Sequence, residues 1–425
     1  MCKEMADMSE TCQFFVQRKK RFCKMLVKSG NKYCGQHQVE RPEEDKTKHK
    51  RIPCPLDPKH SCFEHRLEKH LEVCNAKEVL SFDYVKKNVN LSMSIDEPPK
   101  VPLSSLSGEE LFSFMKRVEV AHKEYVGEIE KAKLTHEALV KEMSTPGYGL
   151  SAMRHLSQNS SILGHLSKEG FLDTSSCPTC FIEFGAGRGK LTRWLTESIT
   201  DNSKALFLLI DRGAQRYKTD AKLKYNKELF IQRLRVDIQH LNLQGIDSIN
   251  NYKRIVGLGK HLCGGATDLT LQCLSTQSNQ RVAGIVLALC CHHRCTYNAY
   301  VGHVFLQEAG FLPEEFYILT ALTSWATCSA KDSMPLQKKV DQDPDTDQGP
   351  ETDSSSEEKQ MNENRYARLG LKAHYREEVG RKAKQLLDYG RVKHLNTQGF
   401  QSRLIQYVDT EETPENVALV AVSQS

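Results

Sequence analysis

The run CFIEFGAGRGKLTRWL (180–195) constrains the fold more than any other stretch of this 425-residue chain. A short apolar segment ends in glycines at 185, 187 and 189, and a helix-forming segment follows at once. Glycines at that density mark a turn where a Cβ would block the backbone path or a close approach. The pattern predicts a buried strand, a tight loop that can meet a ligand, and a helix whose N–H groups add to the site. Dinucleotide enzymes have similar loops, so the glycines alone do not name the ligand.

Further apolar runs follow with helical patterns between them. ALFLLID (205–211) reads as a second strand ending in Asp211, and LRVDIQHL (234–241) places Asp237 after a third. YKRIVGLGKHLCGGATDLTLQCL (252–274) reads as strand, loop and helix, and VAGIVLALCCHH (282–293) as a fifth strand. Strands alternating with helices predict an α/β domain with a doubly wound parallel sheet. SRLIQYVD and ENVALVAVS, near the end, suit an antiparallel pair that closes it.

Two metal modules precede this domain. Cys12, Cys23, Cys34 and His37 are separated by ten, ten and two residues. Three thiolates and an imidazole make a closed tetrahedral zinc shell, and residues 11–39 are too few to fold without it. The same stretch carries seven Lys/Arg and no Asp/Glu, with Phe14, Phe15, Phe22 and Tyr33 among them. These aromatics either stack on bases or form the module's small core. In residues 51–78, Cys54, His60, His70 and Cys74 form a C-x5-H-x9-H-x3-C pattern. His70 and Cys74 are four apart on a helix-forming run and share a face; Cys62 and His65 are spare ligands.

Residues 79–145 read as a helical linker, with a capping box at Ser107–Glu110, and 146–425 as the main domain. An acidic insert, about 331–364, is expected to be disordered: residues 341–358 hold eight acids and no base. The net charge is +5, so the remainder is near +13, which favours an anionic partner such as nucleic acid. No apolar run reaches membrane-spanning length and the first residues lack a secretory core. An intracellular protein is expected, in nucleus or cytoplasm, with its 15 cysteines serving as ligands and packed thiols. Protein partners are not indicated.

LALCCHHRC (287–295) raises a choice among metal site, redox site and active-site lip. Strand neighbours alternate faces, so Cys290 and Cys291 are not expected to reach one ion together without a break. Carboxyl strand ends build the ligand crevice in such sheets, so GKHLCGG and CCHHRC are expected to line it.

The wording EFGAGRG resembles the first motif of class I methyltransferases, which bind S-adenosylmethionine. That resemblance implies a cofactor site at Gly185, Gly187, Gly189, Asp211 (ribose) and Asp237 (adenine). The CHHC pattern resembles a finger shared by a minor-spliceosome protein and a family of tRNA-modifying enzymes, where a CCCH finger precedes it. FGAGRGKL, GKHLCGGATDLTLQC, ALCCHHRC and SWATC together resemble the tRNA 2′-O-methyltransferase family acting on position 4 of the acceptor stem. Three features depart from that family: Asp211 where Glu is expected, CTYNAY without a tryptophan, and a short connection before VAGIVLAL. The resemblance implies methyl transfer to a ribose hydroxyl of tRNA. Lys260 is the candidate to stabilise the developing alkoxide, and His261 or His292 to accept its proton. The competing readings are a non-catalytic RNA-binding finger protein and a base methyltransferase. A cytosine C5 enzyme would use Cys263; the Asn/Asp-Pro-Pro-aromatic turn of amino-directed enzymes is absent.

Overall fold

Every residue from Thr179 to Phe184 is buried, and so are those from Ala205 to Ile210. Strands covered on both faces are apolar at most positions, which is why these runs lack alternation. In this computed structural model the described residues are 11–16, 21–23, 27, 32–34, 51–74, 82–92, 97–213, 229–276, 281–327 and 365–424. His37, the acidic insert and Cys328 of SWATC lie outside them. The chain divides into two units, Met1–Glu78 and Val79–Ser425.

In the first unit, Phe15–Val16 pairs antiparallel with Arg21–Phe22. Farther on, Arg51–Cys54 forms a hairpin with Asp57–Phe63, and helix α1 (Leu67–Val73) follows it.

The second unit is built on eight strands: β1 (Glu130–Lys131), β2 (Thr179–Phe184), β3 (Ala205–Asp211), β4 (Phe230–Arg235), β5 (Arg254–Cys263), β6 (Val282–Cys290), β7 (Phe400–Gln406) and β8 (Val417–Ser423). Their order is β1-β7-β8-β6-β5-β2-β3-β4. β2 through β6 run parallel, and β8 lies antiparallel between β6 and β7. The closing pair expected from SRLIQYVD and ENVALVAVS is therefore present. The chain leaves β2 toward β3 on one side and returns to β5 on the other, so the switch point lies between β2 and β5.

Side chains alternate between two cores. Cys180, Ile182, Phe184, Leu206, Leu208 and Ile210 meet helix α5 (Gly265–Thr276) through Leu271 and Leu274. Phe181, Phe207 and Leu209 meet helices α3 (Leu150–Lys168) and α4 (Lys190–Thr196) through Ile162, Leu166, Trp194 and Leu195.

The segment expected to be a linker is part of this unit. Tyr84, Val85 and Leu91 pack on the sheet core, and Asn90 Nδ2 donates to the carbonyls of Ile238 (2.6 Å) and Leu241 (2.8 Å). Helix α2 (Gly108–Ala121) keeps the expected capping box. Its Leu111, Phe114, Met115 and Val118 enter a third core with Phe316, Leu319 and, from helix α6 (Ala373–Thr397), Leu386 and Leu387. The sequence has the right helix; only packing shows that its apolar stripe is buried within the second unit. Among the described residues no helix is long and apolar enough to cross a membrane.

Candidate active site and metal clusters

Gly185, Gly187 and Gly189 all take positive φ, +63°, +49° and +71°, so each favours glycine on conformational grounds. A Cβ on Gly185 would also come 2.9 Å from Leu262 Cδ2. The Cβ position of Gly187 has no atom within 4 Å, so that side of the loop opens outward. Asp211 ends β3 beside this loop: its two carboxylate oxygens accept from the N–H groups of Gly187 and Gly213, each at 2.7 Å. Arg233 Nη1 donates to the Gly187 carbonyl at 2.9 Å. Asp237 follows β4 and caps the next turn by accepting from Gln239 N at 3.0 Å. Below the loop, the buried Glu183 accepts from Thr192 N at 3.0 Å, and burial pushes its carboxyl up to about 7. A glycine loop open on one side, with carboxylates after two successive strands, fits a nucleoside cofactor.

Across the switch point, Lys260 of β5 points at α3. Its Nζ lies 2.9 Å from Asn159 Oδ1, 3.3 Å from the His155 carbonyl and 3.2 Å from His155 Nδ1. Burial, then the charge of Lys190, lowers its ammonium to about 7 even against Glu183. His155 and Asn159 are four apart and share a helix face. Sequence reasoning assigned them no role; the one available signal is the polar stretch SQNSS (157–161), which lies inside α3. Ser157 through Ser161 are buried, and Ser160 and Ser161 bond to backbone groups of His136 and Tyr407.

His261 is the extra residue of a bulge. β5 pairs with β6 through Lys260↔Ala288 and then Leu262↔Leu289, which leaves His261 unpaired at φ +64°. The bulge switches the side-chain parity of β5: Val256 and Leu258 face the α3 core, while Leu262 faces the opposite one. His261 stacks edge-on to His155, with ring centroids 5.7 Å apart. The residue stays exposed, yet desolvation by the protein around it, then Lys260, lowers its pKa to about 3.

The end of β6 also departs from expectation. Cys291 has φ +53°, a left-handed residue that breaks the alternation. Cys290 and Cys291 consequently do converge, and the sulfurs of Cys263, Cys290 and Cys291 all lie within 4.8 Å of one another. Hydrogen bonds among the three thiols lower Cys263 and raise Cys290. His292 does not reach the crevice lip. It is buried, with Nε2 2.6 Å from Asp388 Oδ1, and Arg391 bridges Asp388 (2.7 Å) and Asp268 (2.6 Å).

In the first unit, the sulfurs of Cys12, Cys23 and Cys34 cluster within 4.8 Å, and so do the ligand atoms of Cys54, His70 and Cys74. Cys23 and Cys34 sulfurs are 4.0 Å apart, and Cys54 and Cys74 3.6 Å. Tetrahedral zinc with Zn–S near 2.3 Å needs about 3.8 Å. The donors therefore fit zinc. His60 lies on its strand, but its side chain is outside the described residues, as is His37. Neither Cys62 nor His65 belongs to the second cluster.

Residues 157–422 match the family described as Methyltransferase TRM13. Residues 10–38 match the CCCH zinc finger in TRM13 protein, and 51–75 the U11-48K-like CHHC zinc finger. The chain is 34% identical to the "tRNA:m(4)X modification enzyme TRM13 homolog" of Mus musculus and to that of Homo sapiens, each over 97% of this chain and 94% of the relative. It is 33% identical to the "tRNA:m(4)X modification enzyme TRM13" of Yarrowia lipolytica, over 96% of this chain and 89% of that one. These matches make S-adenosylmethionine the methyl donor and zinc the metal of the two fingers. With both fingers and the catalytic unit accounted for along nearly the whole length, the chain belongs to the TRM13 methyltransferase family.

Proposed function

We propose that the chain methylates tRNA on a ribose 2′-hydroxyl, at position 4 of the acceptor stem. The relatives' names support tRNA as the substrate. The observation that carries the ribose reading is Lys260, an amine brought near neutrality at the carboxyl end of β5 beside the cofactor loop. A ribose hydroxyl is a weak nucleophile, and a base must take its proton as the new bond forms. S-adenosylmethionine, when bound, supplies a methyl group activated by its sulfonium. Gly185, Gly187 and Gly189 would hold that group's backbone-facing side, Asp211 its ribose and Asp237 its adenine.

Lys260 accepts the hydroxyl proton as a free amine, oriented by Asn159 and His155. This replaces the alkoxide-stabilising cation expected of Lys260, because burial disfavours its charge. His261, neutral at physiological pH, orients the acceptor by a hydrogen bond. His292 holds the loop from behind through Asp388 and takes no proton from substrate. In the first finger, exposed Phe14, Phe15, Phe22 and Tyr33 offer stacking surfaces to RNA. The test is mass spectrometry of tRNA nucleosides after incubation with labelled cofactor. A ribose-methylated nucleotide whose linkage resists alkali is expected. An alkali-labile linkage would overturn the reading, and a covalent RNA adduct at Cys263 would replace it with cytosine methylation.

A further inference from the structure

The three thiols at the ends of β5 and β6 have no part in the reaction above. Cys263 and Cys290 are directly paired in register, and their sulfurs are 4.0 Å apart. That spacing equals the 4.0 Å of Cys23–Cys34 and approaches the 3.6 Å of Cys54–Cys74, both within zinc fingers. Tetrahedral zinc requires about 3.8 Å between sulfurs.

Three backbone features bring the thiols together. The bulge at His261 sets Cys263 beside Cys290. The left-handed Cys291 turns its side chain back toward the strand end. Gly264, at φ +60°, lets the loop after Cys263 lie against the loop after Cys291: a Cβ there would sit 2.4 Å from the Arg294 carbonyl oxygen. Left-handed non-glycine residues are uncommon, and one closes the cluster from the β6 side.

We propose that Cys263, Cys290 and Cys291 bind a third zinc ion at the carboxyl edge of the sheet. A soft, all-thiolate donor set selects zinc over magnesium or calcium. Binding exchanges thiol protons for Zn–S bonds, with the protons released to water and no change of oxidation state. Cys290 is buried and Cys263 exposed, so the ion can enter from solvent and keep one coordination position for a non-protein ligand. The ion would tie the ends of two adjacent parallel strands next to His261. The inference does not depend on which atom of the RNA is methylated.

The experiment is metal counting on the full chain by plasma mass spectrometry after exhaustive buffer exchange. About three zinc ions per chain are expected, and about two after Cys263→Ser or Cys291→Ser. His70→Ala should remove a different equivalent, so His70→Ala with Cys263→Ser should leave about one. A second measurement avoids substitutions: iodoacetamide labelling of the full chain as isolated and after its metal is removed with a chelator, read by peptide mass. Cys263 and Cys291 should be protected in the chain as isolated. Two zinc ions in the unaltered chain, equal labelling of Cys263 before and after metal removal, or a disulfide joining two of the three cysteines would each overturn the proposal.

Discussion

Lys260 concentrates the argument at the scale of single residues. Its ammonium has three acceptors, yet burial and Lys190 bring it to about 7. As the base it must be unprotonated, so turnover should fall as pH drops below about 7 and level off above it. Lys260→Arg supplies a guanidinium that stays protonated. It should cost on the order of a hundredfold to ten-thousandfold in kcat and remove the inflection near neutrality. Cofactor affinity, measured by calorimetry, should hold. An unchanged pH profile in Lys260→Arg would remove Lys260 from the chemistry. Asp211 has a different signature. Asp211→Ala should weaken S-adenosylmethionine binding by roughly 1.5–3 kcal/mol, the range for hydrogen bonds to a charged group. Since Asp211 also holds Gly187 and Gly213, part of that loss would come from a looser loop.

Elements explain how such residues meet. α3 is buried on every side from Leu156 to Leu166, polar over residues 157–161 and largely apolar after them. The polar part serves Lys260 and backbone groups, and the apolar part covers the sheet. Buried polar groups are tolerated where they are paired, as Asn159, Ser160 and Ser161 are. Asn159→Leu should therefore act through Lys260, shifting the inflection of the pH–rate profile while the melting temperature moves little. A change in stability alone would make Asn159 a packing residue. In the first finger, Phe15 and Phe22 meet edge-on with centroids 5.3 Å apart, yet each remains exposed. Phe22→Ala should lower tRNA affinity by about 1–3 kcal/mol, the value of one base stack. Zinc content should be unaltered; lost zinc would instead make the ring part of the finger's core.

Across the whole molecule, one buried ionic network joins distant parts of the catalytic unit. Arg391 of α6 pairs with Asp268 of α5 and with Asp388, which in turn holds His292 after β6; all four are almost fully buried. Removing one partner strands the others without solvent. Arg391→Ala should cost about 3–5 kcal/mol in a denaturant titration. A loss below ~1 kcal/mol would mean that water replaces the guanidinium. The same scale governs where the unit begins. A chain starting at residue 146 would lack α2 and leave its partners Phe311, Phe316 and Leu387 uncovered. It should aggregate or melt without cooperativity, while one starting at 79 keeps that core.

The period and spacing of residues were enough to establish much of this protein. Unbroken apolar runs announced a parallel sheet, three glycines located the tight loop after its first long strand, and cysteine spacing marked both fingers. Those signals are local, carried within a few residues of each other. What packing decided was different in kind. The alternation rule kept Cys290 and Cys291 apart, and a left-handed residue together with a bulge brought them to Cys263. His292 looked like a lip residue because its strand end was known; the depth at which it lies was not. His155 and Asn159 are about a hundred residues from Lys260, and nothing in a helical pattern says which strand it will cover. Sequence period fixes which side chains share a face, but only the tertiary structure decides what that face meets, because the partner comes from far along the chain.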